Sequence, residues 1–311
     1  MIADKRYLAE SHSLPDTIEE CPEGIVIPVD KPFRWTSADV IRKLKFTACR
    51  HFGRKGLKVG HAGTLDPLAT GVLLVCIGKA TRMAEELQRH DKEYIAEVAF
   101  GATTPSYDRE KPIDRFWPLD RVSEENLRSA LPSFVGEQEQ VAPLFSAKSV
   151  DGKRAYELAR RLYRKSRESG TAFDHEKAEI LTRQQIRIDK IELLAFDDPE
   201  EKRNSSGLVD WTSVPPEGFD APEGISPEVP AEQGRNSRIH LTDNSALGLP
   251  TATLRIACSK GTYIRALARD LGEKLGSGAH LSALQRSATG GFRVENALTV
   301  DEAMALFGKS I

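Results

Sequence analysis

Residues 60–78 read GHAGTLDPLATGVLLVCIG and join a turn-forming loop to an apolar run. The first twelve of these residues hold three glycines and a proline, which specifies a tight loop. The run from Gly71 to Gly78 is almost wholly apolar, as in a strand buried on both faces. Asp66 precedes Pro67, and the residue before a proline is biased toward extended geometry. The sequence therefore predicts a carboxylate in a rigid loop beside a buried strand, where it serves either as a turn former or as a reactive group.

The segments on either side of this loop favour a fold rich in strands. GIVIPVDKP (24–32) is typical of a buried strand that ends at a turn, and 38–52 has helical apolar spacing on a basic background. KEYIAEVAFGA (92–102) and QQIRIDKIELLAF (184–196) alternate apolar and polar residues, as half-exposed strands do. Residues 251–276 follow as strand, turn and helix. Because strands outnumber helices without alternating regularly with them, we expect an α+β fold with a mainly antiparallel sheet.

Composition distinguishes an N-terminal extension, a domain and a segment inserted within that domain. Residues 1–22 are predicted to be a flexible extension, and 23–311 a single domain. From 197 to 249 the chain is rich in Pro, Gly, Ser, Asp and Glu and poor in aliphatic residues. Such a segment buries little apolar surface, so we expect it to be an insertion or long loop that orders poorly.

Charge is distributed unevenly along the chain, although the formal net charge is only −2. Between 31 and 58 there is one acid, Asp39, among nine basic residues: Lys31, Arg34, Arg42, Lys43, Lys45, Arg50, Arg54, Lys55 and Lys58. From 197 to 250 eleven acids accompany four basic residues, so this segment carries −7 and the remainder +5. A basic body with an acidic appendage suits a polyanionic ligand, although a basic run can also be a solvated helix face.

Several classes of protein are disfavoured by what the sequence lacks. No apolar run approaches the roughly 18 residues of a membrane span, and the start of the chain is too polar for a secretory signal. We therefore expect a cytoplasmic protein. Its four cysteines are scattered, which argues against a zinc cluster or a disulfide framework.

Six segments, in order, resemble the TruB family of bacterial tRNA pseudouridine-55 synthases. They are VDKPFRWTS (29–37), GHAGTLDPLATGVLLVCIGKAT (60–81), KEY (92–94), PLFSAKSVDGKRAYELAR (143–160), CSKGTYIRALARDLG (258–272) and GAHLSALQRSATGGF (278–292). The resemblance implies the pseudouridine synthase fold, an α+β architecture with a mixed, mainly antiparallel central sheet flanked by helices and loops. It also implies isomerisation of uridine to pseudouridine at position 55 in the T loop of tRNA.

The resemblance also implies three catalytic residues, Asp66, Arg265 and Tyr94. Breaking the bond from ribose C1′ to uracil N1 creates positive character at C1′, which an ionised carboxylate such as Asp66 can capture or stabilise. Attack at C1′, elimination to a glycal and addition at C6 all remain open. Arg265 is the expected cationic partner, and Tyr94 is expected to pack against the target base.

Substrate-binding residues follow from the same motifs. Tyr94, Tyr263 and Leu284 match pocket residues, and His61 matches a contact to the RNA near the flipped base. Basic residues expected to bind phosphates include Lys31, Lys148 and Arg154. The expected partner is the T arm and elbow of tRNA, bound by a monomer. The reaction needs no energy input or redox change, so we expect neither cofactor nor metal.

The chain departs from the family pattern at a few places. Arg34 stands where glycine is usual, Pro105 replaces a common acid, and Ala142 precedes Pro143 where two prolines are common. Only 293–311 follows the last motif, so we expect no C-terminal PUA domain. The alternatives are a non-catalytic RNA-binding protein, a guide-dependent synthase and a hydrolytic glycosidase. The presence of Asp66, Tyr94 and Arg265 disfavours the first, and the lack of a second carboxylate in the motifs disfavours the last.

Overall fold

The structure is a computed structural model that describes residues 1–10, 13–143, 145, 149–150, 153–169, 183–230 and 239–308. The described helices are α1 (Lys5–Ala9), α2 (Ser37–His51), α3 (Ala84–Arg89), α4 (Glu124–Ala130), α5 (Ala155–Ser169), α6 (Glu200–Ser206), α7 (Ile264–Lys274) and α8 (Val300–Ala305). The described strands are β1 (Ile25–Lys31), β2 (Val59–Ala62), β3 (Ala69–Ile77), β4 (Lys92–Phe100), β5 (Ala102–Thr103), β6 (Arg115–Phe116), β7 (Gly136–Val141), β8 (Ser149–Val150), β9 (Lys153–Arg154), β10 (Arg183–Asp197), β11 (Phe219–Asp220), β12 (Thr251–Cys258), β13 (Ala279–Thr289) and β14 (Phe292–Arg293). Strands outnumber helices, and the predicted α+β class is confirmed.

The chain forms two units, and β4 and β13 have residues in both. The first unit comprises Met1–Tyr94, Gln233–Ile239 and Leu284–Ile311. The second comprises Ile95–Glu232 and His240–Ala283. None of the helices that the structure describes has the length and apolar character needed to cross a membrane.

Strand β3 is the centre of the first unit. It pairs antiparallel with β1 along its whole apolar run, from Gly71 opposite Lys31 to Ile77 opposite Ile25. Its other edge is shared by β2, which is antiparallel, and by β13, which is parallel at Ala69–Gly71. All residues from Gly71 to Ile77 are buried, as the apolar run predicted.

The described part of the predicted flexible extension, residues 1–10 and 13–22, packs against the core of the first unit. Ala3, Leu14, Ile18 and Cys21 are buried in the same core cluster as β1 and β3. The backbone amide of Val26 donates to the carbonyl of Met1, and α1 begins at an Asp4 cap. A few well-spaced apolar side chains are enough to fix a short segment when a core is available to receive them.

Helix α2 presents an apolar face to this core and a basic face to solvent. Thr36 caps its first turn in a reciprocal capping box with Asp39, and Val40, Leu44 and Ala48 are buried at intervals of four residues. Most of the basic run is exposed: Arg42, Lys43, Lys45, Arg50, Arg54, Lys55 and Lys58. Lys31 and Arg34 are buried instead.

In the second unit the strand order is β13, β4, β12, β10, β7. The long strand β10 pairs antiparallel with β12 on one edge and with β7 on the other. A separate small sheet joins β5, β6 and β11.

The acidic insertion is ordered where the structure describes it, at 197–230 and 239–249, which differs from the prediction. Leu247 and Leu249 lie in a buried cluster with Phe116 of β6, and Trp211 and Ile225 pack against that cluster. The composition predicted poor order because the segment has few apolar side chains, but those it has pack into a single buried cluster. Arg203 of α6, also buried, pairs with Asp198 and donates to the Gly248 carbonyl 3.2 Å away.

Candidate active site

Asp66 lies half-buried in the loop between β2 and β3 of the first unit. Its carbonyl accepts a hydrogen bond from the amide of Ala69 at 3.1 Å, which closes a turn over Pro67 and Leu68. On the other side, the Ser37 hydroxyl accepts from the amide of Leu65 at 3.0 Å and donates to its carbonyl at 3.3 Å. The backbone is therefore fixed on both sides of the carboxylate, as the loop composition predicted.

The side chain of Lys31 forms a hydrogen bond with this turn. Its side chain is fully buried, and its ammonium group donates to the carbonyls of Pro32 (3.0 Å), Trp35 (2.6 Å) and Pro67 (3.2 Å). Burial lowers the pKa of Lys31 to about 7, while the negative charge of Asp66 acts in the opposite direction. The sequence predicted an RNA phosphate contact here, but a buried ammonium with three carbonyl partners is instead positioned to hold the Asp66 loop.

Arg286 of β13 also forms a hydrogen bond with this loop, and it is almost fully buried. Its guanidinium donates to the carbonyls of Val72 at 2.7 Å and Gly63 at 3.2 Å. The sequence analysis assigned it no role, although it lies in GAHLSALQRSATGGF (278–292), the last of the six segments that resemble the family. Its hydrogen-bond partners lie more than 200 residues earlier in the chain.

Three predicted substrate-binding residues lie in the same unit. Tyr94 and Leu284 are half-buried and pack against the core cluster that contains Leu65 and Ala69. His61 of β2 is also half-buried; burial, with a further effect of the Arg286 charge, lowers its pKa. This shift favours the neutral imidazole, which is suited to hydrogen bonding more than to phosphate attraction.

Arg265 and Tyr263 belong to the second unit, at the start of α7. The buried Arg265 guanidinium donates to the carbonyls of Ser106 (3.1 Å) and Phe145 (2.8 Å), and its Nε lies 3.8 Å from Asp108 Oδ2. Asp108 accepts from the Ser106 hydroxyl at 2.6 Å and was missed in the sequence, where it ends the segment TTPSYD. Tyr263 is fixed through its backbone, because its amide donates to Gln140 Oε1 at 2.9 Å.

The structure does not describe the side chains of two further residues predicted to bind phosphate. Lys148 lies outside the described residues, and for Arg154 only the backbone in β9 is described. The following helix α5 exposes Arg160, Arg161 and Arg164. Within the described ranges, no group of three or more His, Cys, Asp or Glu side chains could hold a metal ion.

Comparisons with solved structures identify the fold. A chain from the crystal structure of the archaeal box H/ACA sRNP Nop10–Cbf5 complex aligns with a TM-score of 0.51 and 21% identity, covering 95% of this chain. A chain of a Cbf5–Nop10–Gar1 complex aligns with a TM-score of 0.51 and 24% identity over 93% of this chain. In both cases the chain spans 60% of the other chain's length. The class defined by this fold is that of the pseudouridine synthases.

Sequence comparisons narrow the class to a family. Residues 50–205 match the family model of the TruB family pseudouridylate synthase N-terminal domain, and 265–309 match the tRNA pseudouridylate synthase B C-terminal domain. A tRNA pseudouridine synthase B of Phocaeicola vulgatus is 42% identical over 90% of this chain and 91% of its own length. A tRNA pseudouridine synthase B of Thermus thermophilus is 40% identical over 88% of this chain and 75% of its own length. This chain belongs to the TruB family, an isomerase family whose general reaction converts uridine to pseudouridine.

Proposed function

We propose that this chain isomerises uridine 55 in the T loop of tRNA, with the Asp66 carboxylate as the reacting group. The observation that carries the proposal is the fixation of Asp66 in its loop by Ser37, Lys31 and Arg286. A loop whose backbone is held this firmly needs little reorganisation when the substrate arrives. The names of the related proteins support tRNA as the substrate.

The reaction breaks the C1′–N1 bond, turns the uracil and joins C1′ to C5, and the proton lost from C5 is balanced by the one gained at N1. Asp66 assists the cleavage in its ionised form, through attack at C1′, a glycal or addition at C6. Arg265 is proposed as the catalytic cation on the basis of the family resemblance. Tyr94 is proposed to pack against the everted base and to take part in proton transfer.

Binding is proposed to involve the T arm and elbow of tRNA, by a monomer in the cytoplasm. Exposed basic residues on and after α2 are available for phosphates, and those of α5 supply further cations. Their contacts offset the few kcal/mol needed to unstack a base from a folded loop.

The test is incubation of the purified protein with an unmodified tRNA transcript, followed by mapping of pseudouridine at single-nucleotide resolution. We expect one modified position, 55, and none in a transcript that carries cytidine there. Asp66→Asn should bind the transcript but form no detectable product. Asp120→Asn, which changes an exposed aspartate, is the matched control and should react like the wild type. An inactive wild type, or an Asp66→Asn variant as active as the control, would contradict the proposal.

A further inference from the structure

Arg34 has an unusual backbone conformation for its residue type. It lies in the loop between β1 and α2 with φ of +61°, in the left-handed region that glycine adopts without penalty. The conformation is unfavourable for arginine, so its side chain must supply a compensating interaction.

The side chain supplies a buried contact with the acidic insertion. Arg34 is only 4% exposed, and its Nη2 donates to the carbonyl of Ile239 at 2.8 Å. Ile239 is itself 6% exposed and belongs to the first unit. A hydrogen bond from a charged donor inside the protein is stronger than one between neutral groups in water. Arg34 therefore holds the insertion by its main chain at Ile239.

The loop that carries Arg34 also holds the turn of Asp66. The carbonyls of Pro32 and Trp35, on either side of Arg34, accept from the Lys31 ammonium, which also donates to the Pro67 carbonyl. Ile239 is thus linked to the residue after Asp66 through the Arg34 side chain, the backbone of the loop from Pro32 to Trp35, and the hydrogen bonds of the buried Lys31.

We propose that Arg34 is a positioning residue that couples the main chain at Ile239 to the loop bearing the Asp66 carboxylate within the first unit. The hydrogen bond to Ile239 keeps this loop in its reactive arrangement. The consequence for catalysis rests on the proposed function, whereas the coupling itself does not.

The decisive comparison is between Arg34→Gly and Arg34→Ala in the full chain. Glycine removes the side chain and also relieves the backbone, so Arg34→Gly should fold and melt close to the wild type. Alanine removes the hydrogen bond but keeps the unfavourable φ, so Arg34→Ala should melt lower. We expect the single-turnover rate on bound tRNA to fall by roughly 10-fold in Arg34→Gly, as loss of one buried charged hydrogen bond implies. Arg34→Lys should recover part of that rate, and Arg128→Ala, which changes an exposed arginine of α4 paired with Glu124, should change neither rate nor melting.

Hydrogen exchange without RNA tests the coupling separately. The amides of Leu65, Ala69 and Gly71 are hydrogen-bonded in the wild type, so a peptide covering 64–72 should be protected. Arg34→Gly should accelerate exchange both there and in a peptide covering 239–249. Acceleration confined to 239–249, or a wild-type reaction rate in a variant without the hydrogen bond to Ile239, would overturn the proposal. If the wild type forms no pseudouridine, the proposed function fails, and the exchange at 64–72 still decides the coupling.

Discussion

At Gly71 the main chain of β3 lies directly against that of β13 at Arg286. A side chain there would lie 2.2 Å from the carbonyl oxygen of Arg286, and φ of Gly71 is +98°. The missing side chain lets the two strands pair in parallel and lets the Arg286 guanidinium reach Val72 and Gly63. The absence of a side chain at Gly71 is therefore required for this approach of β3 to Arg286, whose guanidinium contacts the loop that carries Asp66.

Gly71→Ala is expected to destabilise the protein by about 2–4 kcal/mol, because it adds both backbone strain and overlap with a buried main chain. Gly60→Ala is the matched control in the same motif, since its added methyl group would meet no atom within 4 Å. The free energies of unfolding in urea, measured for both variants and the wild type, check this. Equal stability of the two variants would show that the close approach to Arg286 is not required.

The acidic insertion shows how a segment with a polar composition becomes an ordered element. Strand β11 pairs with β6, and the ring of Trp211 meets the ring of Phe116 edge-on at 5.5 Å between centroids. The insertion is thus attached by its few large apolar side chains, and its acids between 197 and 230 are exposed. Helix α2 shows the opposite case, in which capping and periodicity within one segment already specify the helix.

Phe116→Ala should destabilise the second unit by about 3–5 kcal/mol and loosen the insertion, because it empties the centre of that cluster. Phe46→Ala is the matched control: Phe116 is fully buried, whereas Phe46 on α2 is 69% exposed. For the control we expect a change within about 0.5 kcal/mol. Unfolding curves, together with limited proteolysis between 197 and 230, report both effects. Protection from protease that survives in Phe116→Ala would mean that the insertion is held by other contacts.

Positive and negative charges are concentrated in different segments of the chain. The exposed basic residues between 42 and 58 belong to the first unit, while the insertion from 197 to 250 carries −7. Through this separation a nearly neutral protein can present a cationic surface to RNA and keep anions elsewhere on the chain.

RNA affinity should therefore fall steeply as salt rises, with the logarithm of the binding constant linear in the logarithm of salt concentration. Replacing Lys43 and Lys45 together by glutamine should reduce that slope by about 0.7–0.9 for each phosphate that is no longer neutralised. Lys202→Gln, an exposed lysine inside the acidic insertion, should leave the slope unchanged. Titrations of fluorescent tRNA at several salt concentrations measure all three slopes. A wild-type affinity that is flat between low and moderate salt would remove the electrostatic basis of the binding proposal.

Local patterns in the amino-acid sequence were sufficient for the elements around the candidate site. The apolar run of β3, the capped helix α2 and the turn at Asp66-Pro67 are each specified by neighbours a few residues apart. The motifs identified the family because their residues and order are preserved along the chain. These properties depend on short-range backbone preferences and on side-chain spacing.

Tertiary structure alone decided which polar and apolar groups find distant partners. In the sequence Lys31 belongs to a basic run, yet in the structure it is buried and forms a hydrogen bond with the turn at Asp66. Arg286 braces a loop more than 200 residues away, and Arg34 reaches Ile239 across a comparable separation. The described parts of the N-terminal segment and of the insertion are ordered because their apolar side chains pack into clusters that other parts of the chain help to form. Such outcomes depend on the free energy of long-range packing, which composition and local periodicity do not contain.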